Sequence, residues 1–183
     1  MERLQNLKDV FTQPKVYRPL VAIAAAAVAA LYFTSYVVTA ALVVGTAVTA
    51  FMMNKLNMKQ VGVELATLST ILIAVTYGPV VGAVVGLAVI MLQVTAGQYT
   101  GSYIIWVIPS YGIAGFIAGS LSGAGIFTLG FGLTAGMQGV FAALTSLMAS
   151  GNLSRYLPYA VTNVLFNFAV FMYVAPALLP LMS

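Results

Sequence analysis

Long apolar stretches separated by short polar ones dominate this chain. Residues 1–18 are polar, but Leu4, Leu7, Val10 and Phe11 recur at helical spacing with Arg3 and Lys8 between them. That pattern predicts a short amphipathic helix lying in a membrane interface, ended by Pro14, with Pro19 opening the first span. Residues 19–53 are apolar throughout. As one helix they would extend about 52 Å against a hydrocarbon core of about 30 Å. Two readings follow: a single helix that tilts or projects, or a tight hairpin turning near Thr34 and Ser35. The second lacks the Gly, Pro or Asn that turns use.

Beyond the polar connector 54–60, apolar periodicity predicts spans over 61–77, 79–96, 103–121, 126–149 and 156–181. Pro109 predicts a kink in the third of these, and Pro176 and Pro180 predict a frayed end to the last. Residues 98–102 and 152–155 are connecting loops. The whole reads as an all-α, polytopic membrane bundle of about six or seven crossings. Barrel strands would alternate polar and apolar positions, and these segments do not.

Small residues punctuate the spans. In the run Thr76–Tyr77–Gly78–Pro79, Gly-Pro ends one helix and starts the next. Gly82 and Gly86 then let the second helix pack with backbones close together. The same spacing recurs at Gly115, Gly119 and Gly123, which packing needs alone can produce. Ala22, Ala26 and Ala30 form a smooth stripe suited to docking a partner helix, or simply belong to an alanine-rich helix.

Composition sharpens the class. Hydrophobic residues make up 62% of the 183-residue chain and charged residues 5%, against about a quarter charged in soluble domains. Residues 19–183 are therefore read as one transmembrane domain following the interfacial segment 1–18, with membrane lipids as solvent and the cell membrane as location. The N-terminus does not read as a removable signal peptide, because its apolar region begins late and runs long. The net charge of +4 comes from Arg3, Lys8, Lys15, Arg18, Lys55, Lys59 and Arg155. That is loop charge of the kind that sets topology, with no nucleic-acid patch. A hairpin within 19–53 would gather all of it on one side; a single helix would separate Lys55, Lys59 and Arg155 from the rest.

The chain has no cysteine and no histidine, and its acids are Glu2, Asp9 and Glu64. No metal site and no cofactor is expected from so sparse a donor set. No Walker, G-x-S-x-G or H-E-x-x-H motif is present, so an enzyme reading has no nucleophile–base pair to stand on.

Glu64 is the ionisable residue inside a span. It either binds a cationic substrate group or couples to protons, or it sits in the first turn of its helix near the surface. Asn163 and Asn167 share a helix face beside Thr162, and Gln93 and Gln138 are further buried-amide candidates. Each amide either meets a polar ligand or cross-links helices. Tyr103, Trp106 and Tyr111 either anchor the interface or stack on a planar ligand.

Residues 64–97, with their Gly-Pro junction and Gly82/Gly86 helix, resemble the second and third helices of the substrate-binding S-components of energy-coupling factor transporters. The Ala22/Ala26/Ala30 stripe is similar to the motif by which that family's first helix docks the coupling subunit. Residues 106–119 are similar to its fourth helix, and the region of Asn163 and Asn167 to its sixth. The resemblance implies a compact helical bundle with a ligand pocket toward the outer face. It also implies transport by reorientation of the bundle, driven by separate ATPase and coupling subunits. Glu64, Tyr103, Trp106, Gln138, Asn163 and Asn167 are then the expected ligand contacts. The alternative function is a non-catalytic structural or accessory subunit of a larger membrane complex.

Overall fold

A computed structural model describes residues 14–148 and 153–182. The expected interfacial helix falls largely on residues 1–13, outside the described residues. Among the described residues all regular structure is helical, with no strand: α1 (Pro14–Lys55), α2 (Ala66–Tyr77), α3 (Pro79–Ala96), α4 (Ile104–Ser120), α5 (Ile126–Met148), α6 (Leu153–Ala169) and α7 (Ala175–Met182). A short 3₁₀ turn, Ser122–Ala124, precedes α5, and a π turn, Val170–Val174, joins α6 to α7. Four segments are long and apolar enough to cross a membrane: Phe33–Lys55, Pro79–Ala96, Ile126–Leu147 and Tyr156–Met182. Ala66–Tyr77 and Ile104–Ser120 are apolar but shorter.

The helix α1 is continuous through Thr34 and Ser35, so the hairpin reading is not realised. In an apolar surrounding a break there would strand backbone N–H and C=O groups, and no turn residue is present to take them up. Pro14 does not end a helix; it begins one, at the position where a missing N–H is harmless. Pro19 lies inside the same helix. By compactness the chain divides at Val37/Val38. In the first unit the described part is helical, with Val21, Ile23 and Phe33 exposed. Ala22 and Ala26 are exposed there too, and the side chain of Ala30 lies outside the described residues.

In the second unit, α2 is the central element. Every residue from Ala66 to Ala74 is buried, and two apolar clusters form on it, one around Leu68, Ile71 and Leu72, the other around Ala66, Val89 and Tyr111. A helix apolar on every side belongs in such a core. The helix begins at Ala66, not at residue 61 as periodicity predicts, and residues 57–65 are non-helical.

Helix ends are set by local chemistry. Gly78 has φ +93°, which side-chain-bearing residues rarely adopt; its N–H closes α2 on the Ala74 carbonyl at 2.9 Å, and Pro79 opens α3 at the first position. The helices α1 and α3 end in matching Schellman turns. Met58 N–H reaches the Met53 carbonyl (2.9 Å) and Asn57 N–H the Asn54 carbonyl (3.2 Å), while Tyr99 N–H reaches Val94 (3.0 Å) and Gln98 N–H reaches Thr95 (3.2 Å). The left-handed residue of the second turn is Gln98 (φ 50°) rather than the neighbouring Gly97.

The two glycine rows noted in the sequence face each other. A Cβ on Gly115 would lie 2.1 Å from the Gly82 carbonyl oxygen, one on Gly86 2.3 Å from the Tyr111 carbonyl, and one on Gly119 2.5 Å from Pro79. The helices α3 and α4 therefore run antiparallel with their backbones in contact. Gly123 meets nothing and takes no part.

The last helix does not fray at Pro176 and Pro180; α7 runs to Met182. A proline ring collides with the carbonyl four residues before it, and the wider π turn ahead of Pro176 relieves that collision. Its signature is the Ala175 N–H bonded to the Val170 carbonyl. The turn also delivers Phe171, fully buried, against Gly130.

Candidate functional site

The site is built on the non-helical segment ahead of α2. An unwound backbone in an apolar surrounding needs other partners for its N–H and C=O groups. At Gly62 both come from α6: Thr162 Oγ1 accepts the Gly62 N–H (2.8 Å) and Asn163 Nδ2 donates to the Gly62 carbonyl (3.1 Å). Only glycine permits this approach, since a Cβ there would lie 2.4 Å from both the Tyr159 carbonyl and Asn163 Cβ.

Two residues on, Glu64 is 4% exposed. It precedes α2, so the first-turn reading fails. Its Oε1 accepts from Thr67 Oγ1 (2.5 Å), Tyr111 OH (2.9 Å) and Asn163 Nδ2 (3.3 Å). Its Oε2 is buried without a hydrogen-bond partner. No cation pairs with the carboxyl group among the described residues.

The network continues outward. Gln138 Nε2 donates to Asn163 Oδ1 (2.8 Å), and Tyr156 OH donates to Gln138 Oε1. Asn167, fully buried, donates to the Asn163 backbone carbonyl (3.1 Å), and its Oδ1 is unpartnered. Asn163 and Gln138 are thus joined across α5 and α6, as one of the two sequence readings has it, while Asn167 bonds to its own helix.

Beside this network lies a cavity of about 590 Å³. It sits where residues 57–65, the α3–α4 loop and the facing ends of α5 and α6 meet. Tyr103, Trp106 and Gln138 line it, as do Tyr111, Tyr156 and Gln93. Glu64, Asn163 and Asn167 stand behind the wall rather than in it. Tyr111 and Gln138 belong both to the wall and to the Glu64 network. Gln93 Oε1 and Trp106 Nε1 are buried polar atoms without partners on lining side chains. Lys59 completes the loop end, donating to the Gln98 carbonyl (3.0 Å) with its ammonium 5.6 Å above the Tyr99 ring.

Burial raises the pKa of the Tyr99 and Tyr103 phenols above the ordinary value of 10.0; for Tyr99 the charge of Glu64 and then Tyr103 add to it. Both phenols remain neutral hydrogen-bonding groups over the physiological range. No cluster of three or more His, Cys, Asp or Glu is placed to hold a metal among the described residues. The arrangement can enclose, stack on and hydrogen-bond a molecule of modest size, within the range of about 300–1,000 Å³ typical of ligand sites.

The chain matches no protein-family model, no curated protein and no solved structure.

Of the residues expected from sequence, Tyr103, Trp106 and Gln138 line the cavity. Tyr99, Tyr156 and Tyr159 line it as well and Thr67 bonds Glu64, and sequence reasoning passed over these four. Three of these carried a readable signal. Thr67 lies one helical turn from Glu64, and Tyr156, Tyr159, Asn163 and Asn167 recur at helical spacing along one face of α6.

Proposed function

We propose that this protein is the substrate-binding subunit of an uptake transporter of the cell membrane. It crosses the membrane six times and captures a small molecule in the aromatic cavity. Separate coupling and ATPase subunits, as in energy-coupling factor systems, supply the energy. The observation that carries this reading is the cavity itself: a wall of tyrosines and a tryptophan, backed by a buried carboxylate held by three donors. A subunit that only filled space would close such a volume with side chains, because protein interiors pack to crystal-like density. The six crossings are the four long apolar helices together with Ala66–Tyr77 and Ile104–Ser120. The stripe at Ala22, Ala26 and Ala30 is assigned to docking the coupling subunit.

Gentle detergent extraction tests the assignment. The transporter reading expects co-purification with ATPase and coupling subunits in fixed stoichiometry, and a small molecule released on denaturation. Fixed association with other membrane proteins, without ATPases and without a released molecule, would replace it with the accessory-subunit reading.

A further inference from the structure

We infer that the cavity selects an organic cation with N–H donors, such as an aromatic ammonium or amidinium, over neutral or anionic molecules of the same shape. This rests on the ligand-binding reading above and deepens it to a substrate class. The direction of the hydrogen bonds points to it. Glu64 Oε1 is the acceptor in all three of its contacts, each neighbour turning a donor toward it: Thr67 its hydroxyl, Tyr111 its phenol, Asn163 its amide NH₂. Asn163 also gives its NH₂ to the Gly62 carbonyl, which fixes its Oδ1 toward Gln138. Gln138 must then present its NH₂ to Asn163 and its Oε1 to Tyr156, whose phenol donates to it. Every donor in the chain points at the acid. Tyr111 and Tyr156 both line the cavity with their O–H groups already engaged. The Tyr111 oxygen also lies 3.1 Å from Thr67 Oγ1, so the Tyr156 oxygen and the unpartnered Gln93 Oε1 are the acceptors this wall has to offer. That side of the wall accepts hydrogen bonds and does not donate them.

Charge points the same way. Glu64 is the one acid among the described residues, buried without a counter-ion and with one bare oxygen, and a cation brought near would supply the partner it lacks. Tyrosine and tryptophan faces attract cations further. Among the described lining residues Lys59 alone is charged. It rests on the Gln98 carbonyl and the Tyr99 ring at the loop end, so the cationic end of the ligand is assigned to the Tyr111–Tyr156 side and its neutral part to the loop end.

The test uses the purified full-length chain in detergent and four probes of matched size: benzylammonium, benzyltrimethylammonium, benzyl alcohol and phenylacetate. Trp106 is the single tryptophan of the chain and lines the cavity, so its emission reports occupancy, with thermal stabilisation as a second readout. Benzylammonium is expected to bind at least about tenfold more tightly than benzyl alcohol, a difference of about 1.4 kcal/mol. Benzyltrimethylammonium, charged but without N–H donors, falls between them, and phenylacetate does not compete. Tyr156→Phe keeps the ring and removes the acceptor, so it narrows the gap between the two cations. Glu64→Gln erases the preference for charge; should that variant not fold, Tyr156→Phe decides. Benzyl alcohol or phenylacetate binding as tightly as benzylammonium overturns the substrate class alone, as does unchanged benzylammonium affinity in folded Tyr156→Phe. Silence from all four probes overturns the ligand-binding reading with it.

Discussion

The side-chain amide of Asn163 hydrogen-bonds Glu64 Oε1 at 3.3 Å across a sequence separation of 99 residues, and the same NH₂ group bonds the Gly62 carbonyl at 3.1 Å. One side chain thus holds both the unwound segment ahead of α2 and the acid that segment carries. Removing it strands a buried backbone carbonyl, the Gln138 NH₂ and part of the carboxylate shell. Each unsatisfied buried partner costs about 1–3 kcal/mol, so Asn163→Ala is expected to destabilise by roughly 3 kcal/mol after relaxation. Thermal unfolding in detergent measures this; an unchanged midpoint would show that the segment is held by other means.

The contact of α3 with α4 gives a paired test. Gly115→Ala drives a methyl group into the Gly82 carbonyl, whereas Gly132 and Gly136 on α5 have open space beside them. Gly115→Ala should cost about 1–3 kcal/mol by overpacking. Gly132→Ala should be neutral or gain up to about 1 kcal/mol from helix propensity. Equal effects in unfolding experiments would contradict the assigned interface.

Alkaline titration tests the burial of the loop-end phenols. Tyr99 and Tyr103 have raised pKa values in the folded state, so the folded protein holds their protons where the unfolded chain has lost them. Their contribution to stability is complete below the unfolded value of about 10 and is lost as pH rises through the folded values. Stability should therefore fall above about pH 10, and Tyr99→Phe with Tyr103→Phe should flatten the fall. A slope identical in wild type and double variant would mean that these phenols titrate as exposed ones.

The proposed six crossings would put the loops at 56–65 and 97–103 on one side and the turn at 121–125 on the other. The cysteine-free chain permits single-cysteine labelling without background. Lys59→Cys and Thr100→Cys should react with an impermeant reagent from one side and Ser122→Cys from the other. Labelling of all three from the same side would remove a crossing from the count.

The sequence carried the Gly78–Pro79 junction in full, because both residues act through their own backbone angles. The bounds of α3, residues 79–96, could be read for the same reason. The continuity of α1 was legible only in part: missing turn residues argued for one helix, the distribution of Lys and Arg for two, and local chemistry prevailed. The start of α2 was hidden. Residues 61–65 are as apolar as the helix that follows, and what unwinds them is pairing with Thr162 and Asn163 about a hundred positions later. The helix end at Pro176 and Pro180 was misread because the proline rule considers an ideal α-helix, while the chain takes a π turn at Val170–Val174, ahead of Pro176, that sets Phe171 against Gly130. Of the site, the residue types were readable and their grouping was not. Glu64 and Asn163 were expected as ligand contacts; they lie outside the lining residues and bond to Tyr111 and Gln138, which are among them.

The most direct measurement is mass spectrometry of the small molecules released from protein purified out of its own membranes. The account predicts one organic species released in about one-to-one ratio by wild type, and lost from Glu64→Gln and Trp106→Ala proteins that remain folded. A folded wild-type protein that releases nothing, or variants that release the same molecule in the same amount, would contradict it.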